Sequence, residues 1–172
     1  IFSQKTNGKD IFLKYTDYTC KSEAWLYEAR FDIYGDYMRW CPEKLKEIGG
    51  FPDAWLPAVA VVRKGENLSS TFAGIFEPYE GKPFIKHSKR LDVYEKESAR
   101  YEDKHVAFEI STGDEISDLV LLPAKDGKIV IQAEWDVETD ASLCLIRKQR
   151  GKYRHLSVYE GSYLILGGKK II

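Results

Sequence analysis

A chain of 172 residues that is 44% apolar and 13% aromatic can bury one substantial core, and its length suits a single domain. Its 26 basic side chains stand against 27 acidic ones, for a formal charge of -1, so no global field draws in nucleic acid or an anionic membrane surface. No run of about 20 apolar residues is present to cross a bilayer as a helix, and the opening "IFSQKTNGKD" lacks the charged region and apolar stretch of a leader. The first residue is Ile1 rather than Met, which suggests a processed product or a piece of a longer protein.

Taken in chain order, the first clear element is "AWLYEARFDIYG", from Ala24, where period-two alternation puts Trp25, Tyr27, Ala29, Phe31 and Ile33 on one face and Glu28, Arg30 and Asp32 on the other. This predicts a half-buried strand with Trp25 in the core. Pro42 suits a first helical position, Leu45 and Ile48 fall three apart, and Gly49-Gly50 follows, which predicts one short helical segment. "PAVAVV" (57–62) and "TFAGIF" (71–76) are apolar on both faces and are expected as the central core pair of the sheets. The charged stretch "EKESARYEDK" (95–104) reads as an exposed connection, with Tyr101 its one large apolar group.

Further on, "KHVAFEIS" points Val106, Phe108 and Ile110 inward, and "KIVIQAEW" does the same with Ile129, Ile131, Ala133 and Trp135. Turn signals recur at Lys64-Gly65, Glu80-Gly81, Thr112-Gly113, Asp126-Gly127, Arg150-Gly151, Glu160-Gly161 and Gly167-Gly168. About ten to twelve short strands with almost no helix predict an all-β protein, an antiparallel β-sandwich spanning 1–172 as one domain.

"RKGENLSSTFAGIFEPYEGKPFI" (63–85) resembles the end of the central β-domain of heparinase II/III-like polysaccharide lyases, where such a strand closes on a Glu-Pro-Tyr corner followed by Gly and another strand. "HVAFEISTGDEISDLVLLP" (105–123) and "SVYEGSYLILGGKKII" (157–172) look like the C-terminal sheet of that family, so the likeness covers about two-thirds of the chain. The resemblance implies a multi-domain enzyme of uronic-acid polysaccharide degradation, exported to the periplasm or beyond in bacteria, with an α/α-toroid catalytic domain upstream in the same polypeptide. In that family much of the catalytic machinery sits in the toroid and the early central domain. No position here matches it, so no catalytic residue is assigned.

Elimination next to a uronate needs a Tyr or His base and a cation to neutralise the carboxylate. Tyr79, Lys86, His87 and Arg90 have the right chemistry, but alternation along "FIKHSKRLDV" puts Lys86, Ser88 and Arg90 on one strand face and His87 on the other. The Glu77-Pro78-Tyr79 corner is expected to be architectural: Pro78 stops the ladder, Tyr79 packs its ring, and Glu77 or Glu80 accepts backbone bonds. Tyr79 could alternatively line a carbohydrate cleft. Lys86 and Arg90 are candidates to contact an acidic polysaccharide, and Trp40, Trp55 and Tyr37, around the loop "GGFPD", are candidates for a sugar platform. His87, His105 and His155 have no metal-ligand spacing and no cofactor is expected. Cys20, Cys41 and Cys144 read as buried small apolar groups, with a Cys20–Cys41 bridge open if the protein is exported. Two functions follow: an accessory β-sandwich that supports a lyase catalytic domain and lines its cleft, or a free-standing carbohydrate-binding module.

Overall fold

The computed structural model describes residues 1–6, 8–30, 55–98, 100 and 103–172, and across them the regular secondary structure is antiparallel strand with one 3-10 turn. In chain order the strands are β1 (Phe2–Thr6), β2 (Lys9–Asp17), β3 (Glu23–Arg30), β4 (Trp55–Val62), β5 (Gly74–Glu80), β6 (His87–Leu91), β7 (Tyr94–Glu95), β8 (Val106–Ser111), β9 (Ile116–Leu122), β10 (Val130–Gln132), β11 (Val137–Thr139), β12 (Leu143–Gln149), β13 (Lys152–Tyr159), β14 (Leu164–Leu166) and β15 (Lys169–Lys170). They fall into two compact units, residues 1–20 with 65–172, and residues 21–64. The smaller unit holds the two-stranded antiparallel β3–β4 sheet.

The larger unit is built around a five-stranded sheet of order β13-β12-β9-β8-β6. A second sheet, β15-β14-β11-β10-β7, closes one face of it, and Leu91, Ala107, Leu119, Leu121, Cys144 and Ile146 meet Val130, Trp135, Val137 and Leu164 in one apolar cluster. This is the sandwich that alternation predicts. A third sheet, β1-β2-β5, reaches the opposite face, where Tyr18, Ala73 and Ile75 pack with Val106, Phe108 and Ile110. Strand β8 is therefore buried on both sides: Val106 and Phe108 serve one cluster and Ala107 the other.

Cross-strand register orders the inward face of the central sheet into rows. Leu91, Ala107, Leu121, Cys144 and Val158 form an apolar row. Lys89, Glu109, Leu119, Ile146 and Leu156 form the next, and His87, Ser111, Ser117, Lys148 and Tyr153 the last. The interior thus grades from hydrocarbon to polar toward one open end. A β-bulge between Arg147 and Lys148 in the β12–β13 pairing leaves Arg154 without a partner and turns Tyr153 to the inward side.

Four expectations are corrected. Residues 57–62 are not a central strand among the described residues, where β4 pairs with β3 alone and Val59 and Val62 are exposed. Residues 71–76 are not their core partner either, since β5 starts at Gly74, pairs with β2 and forms a sheet edge on which Phe72 and Phe76 are exposed. An apolar run marks a strand whose two faces can be covered, but it does not name its neighbours. Trp25, expected in the core, is 57% exposed. In "KIVIQAEW" the inward residues are Val130 and Gln132, because the strand ends there and the 3-10 turn Ala133–Trp135 swings Trp135 into the core by another route. A one-residue difference in register exchanges the two faces of a strand. The expected helical segment at 42–50 lies outside the described residues.

Candidate functional site

Tyr37, Trp40 and Cys41 lie outside the described residues, and Trp55 occupies the first position of β4. Lys86 is exposed, and its backbone N–H donates to Ser111 O at the start of β6. Arg90 is one strand position from solvent access yet its side chain is only 9% exposed. Its guanidinium donates to Tyr18 O (2.9 Å), to the carbonyl and carboxylate of Asp103 (2.9 and 2.8 Å) and to His105 O (3.3 Å). Those bonds tie β6 to the end of β2 and to the segment before β8, and they commit the cation internally.

The Glu-Pro-Tyr stretch is not a corner, because β5 runs through it to Glu80 before Gly81 turns at φ 74°. Pro78 is tolerated because β5 is an edge strand, where a missing N–H breaks no ladder bond. Glu77 is 2% exposed and its Oε1 accepts from Ile85 N at 2.8 Å, closing the 81–86 loop, while Lys14 Nζ lies 3.7 Å from Oε2. Tyr79 stacks on Phe12, with centroids 5.2 Å apart and planes 15° apart.

A second buried polar centre arises where the sequence suggests an exposed connection. Glu95 ends β7 with its carboxylate between Lys104 and Lys128, each at 2.6 Å. Their hydrogen bonds, Lys104 first, hold its pKa down to about 2. His105 is fully buried and its Nδ1 accepts from Ala124 N at 3.0 Å, which leaves the proton on Nε2, 3.5 Å from Glu95 Oε1. Burial lowers the pKa of the imidazole. These side chains do structural work: each charge already has its partner.

What remains open to a partner is the outer face of the β1-β2-β5 sheet. The pairs Leu13–Pro78 and Tyr15–Phe76 share that face with Ile11, while Ile75, Glu77 and Tyr79 point the other way. Phe76 is 66% exposed, and Phe72, which continues the alternation one step before β5, is 59% exposed. The Tyr15 ring lies across the Gly74 backbone, so that a Cβ there would sit 2.5 Å from Cε2, and its centroid is 4.7 Å from that of Phe76. Gly74 is thus what lets the tyrosine lie flat. Among the described residues, charge on this face appears only at the margins, in the Lys9–Glu80 pair (3.0 Å) and in Asp17, which accepts from Tyr15 Oη at 3.3 Å. A contiguous apolar strip with a polar rim is the make-up of a docking surface. The sequence carries this strip as interior, in "TFAGIF", because composition does not separate a face covered by its own chain from one covered by another. Compared with known proteins, the chain matches no family profile, no curated protein and no solved structure.

Proposed function

We propose that the chain is a non-catalytic β-sandwich that supports the catalytic domain of a polysaccharide-degrading enzyme by docking that domain on the outer face of the β1-β2-β5 sheet. The observation that carries the reading is the exposure of Phe72 and Phe76 beside Tyr15 and Ile11. Covering one phenylalanine is worth about 2–3 kcal/mol, so a few such groups suffice to hold two domains together. The lyase assignment is drawn from the resemblance of "FEPYEGKPFI", whose first half is β5 itself. The internal commitment of Arg90, Glu77 and Glu95 is consistent with a supporting role.

The test is thiol accessibility at Phe76→Cys. Alkylation is expected to be fast in the isolated chain and at least tenfold slower when the chain is joined to, or mixed with, its catalytic partner. Equal rates in both states remove the docking face. A carbohydrate-binding module is the second reading, favoured by the adjoining Tyr15 and Phe76 rings. Retention of the isolated chain on acidic glycans, lost on Tyr15→Ala, would move the assignment there.

A further inference from the structure

Strand β13 is an open edge. It ends the order β13-β12-β9-β8-β6, runs eight residues (Lys152–Tyr159) with neither proline nor glycine, and is exposed from Lys152 to His155. Alternate N–H and C=O groups of such a strand point away from its single neighbour and are free to pair with a further strand. The other edges of the larger unit offer less: β5 carries Pro78, β1 and β6 are five residues each, and β7 and β15 are two.

The edge is also basic. Lys152 and Arg154 lie on β13, and a Cβ on Gly167 would meet Tyr153 Cε2 at 3.5 Å, which sets the start of β13 against the turn that leads into β15. There Lys169 pairs with Leu166, a member of the apolar cluster between the sheets, so its side chain leaves on the face toward the central sheet. Among the described residues, the side chains of Lys152, Arg154 and Lys169 make no ion pair and no hydrogen bond. The acids around them are matched to other cations. Arg147 donates to both oxygens of Asp118 at 2.7 and 2.8 Å, Glu115 lies 3.4 Å from Arg150, Glu160 lies 3.0 Å from Lys125, and Glu109 and Asp136 act on Lys148. Asp114 sits on the β8–β9 turn, two strands away from β13.

We propose that β13 takes an added strand from another polypeptide, an extended segment in which acidic and apolar residues alternate. Backbone bonds to the open edge supply the attachment, and side chains supply the choice of partner. Apolar residues of the new strand would extend the core past Leu156 and Val158, which are only partly buried at its margin. Its carboxylates would lie on the other face, beside Lys152 and Arg154. Cations on an edge are a common guard against pairing with a like strand, and here a second copy of β13 would bring the same positive charges to the contact. That guard depends on sign: it repels another β13 and attracts an acidic strand. The edge shares no residue with the face of β1-β2-β5, so either can fail alone.

The test uses the whole chain, ¹⁵N-labelled, with a synthetic peptide alternating Glu with Val, its Lys–Val counterpart, two forms of the Glu–Val peptide N-methylated at every Glu or at every Val, polyglutamate and heparin. The Glu–Val peptide is expected to bind and to slow hydrogen exchange at the β13 amides that face away from β12. One of the two methylated forms is expected to bind about tenfold more weakly, because only one set of peptide N–H groups faces β13. Lys152→Glu with Arg154→Glu is expected to weaken the Glu–Val peptide about tenfold and to gain the Lys–Val peptide, an exchange of preference that misfolding does not produce. Equal binding of both methylated forms, polyglutamate or heparin binding at β13 as tightly as the Glu–Val peptide, or unchanged exchange along β13 overturns the proposal. So does protection of β13 that rises with chain concentration alone, which would make the occupant a second copy.

Discussion

Glu95 remains ionised at 6% exposure because Lys104 and Lys128 both donate to it, and His105 beside it remains neutral because burial opposes its charge. Each group links stability to pH. With its folded pKa at about 2, below the usual carboxylate value, Glu95 contributes stability that is present above about pH 4.5 and lost as pH falls toward 2. His105 has a folded pKa below 6.5, so the unfolded chain takes up a proton that the native chain refuses. Its contribution is full above about pH 6.5 and declines below it. The urea midpoint is therefore expected to fall from pH 7.5 to 5.5, and His105→Gln, whose amide oxygen can still accept from Ala124 N, is expected to flatten that slope; an unchanged slope removes the assignment. Arg90 makes a sharper case, since its removal breaks the Asp103 ion pair and takes a donor from three carbonyls. Arg90→Met is expected to cost about 3 kcal/mol in urea unfolding, whereas Lys86→Ala, at the exposed residue just before β6, is expected to change stability by less than about 0.5 kcal/mol. Equal effects would mean that the two share a role after all.

At the scale of elements, glycine positions differ in what a Cβ would meet, from backbone to side chain to open space. A Cβ on Gly161, between β13 and β14, would fall 2.7 Å from Ala141 Cβ and 2.9 Å from its Cα, whereas one on Gly113 meets nothing within 4 Å. Gly161→Ala is expected to lose about 2–3 kcal/mol, because backbone must move to admit it, and Gly113→Ala to be near neutral, both read from urea midpoints. The contrast shows what was legible. Turn signals such as Arg150-Gly151 and Gly167-Gly168 were readable because a two-residue hairpin demands positive φ, and Arg150, Gly151, Gly167 and Gly168 all adopt it. The hairpin at Gly8 (φ 78°) was missed, although Asn7-Gly8 is a favoured dipeptide for it, because "FSQKT" before it has no apolar period to mark a strand. Register was legible where alternation was uninterrupted, as for Val106 and Phe108, and illegible in "KIVIQAEW", where the side chain of Gln132 caps a 3-10 turn by accepting from Trp135 N. The polar row of His87, Ser111, Ser117, Lys148 and Tyr153 was hidden for a related reason: it is assembled from five strands and a bulge, none of which leaves a local pattern.

For the whole molecule, the decisive feature is that one sheet serves two cores. Leu119 lies in the cluster between the facing sheets, and Phe108 lies in the cluster beneath β1-β2-β5, yet β8 and β9 carry both and are hydrogen-bonded to each other. Tyr18 strengthens the link by donating to Ser88 O and Ser88 Oγ on β6 while its ring meets Phe108 at 5.2 Å. The three-stranded sheet that bears the docking face is thus anchored through the central layer, and it should not unfold by itself. Leu119→Ala and Phe108→Ala are each expected to cost about 3–4 kcal/mol, and in both variants amide protection in β2 and in β14 should fall together, as measured by native-state hydrogen exchange. If Phe108→Ala released β2 while leaving β14 protected, the third sheet would be an independent unit. The docking face would then have its own folding equilibrium, and a partner bound there would stabilise only that sheet rather than the sandwich as a whole.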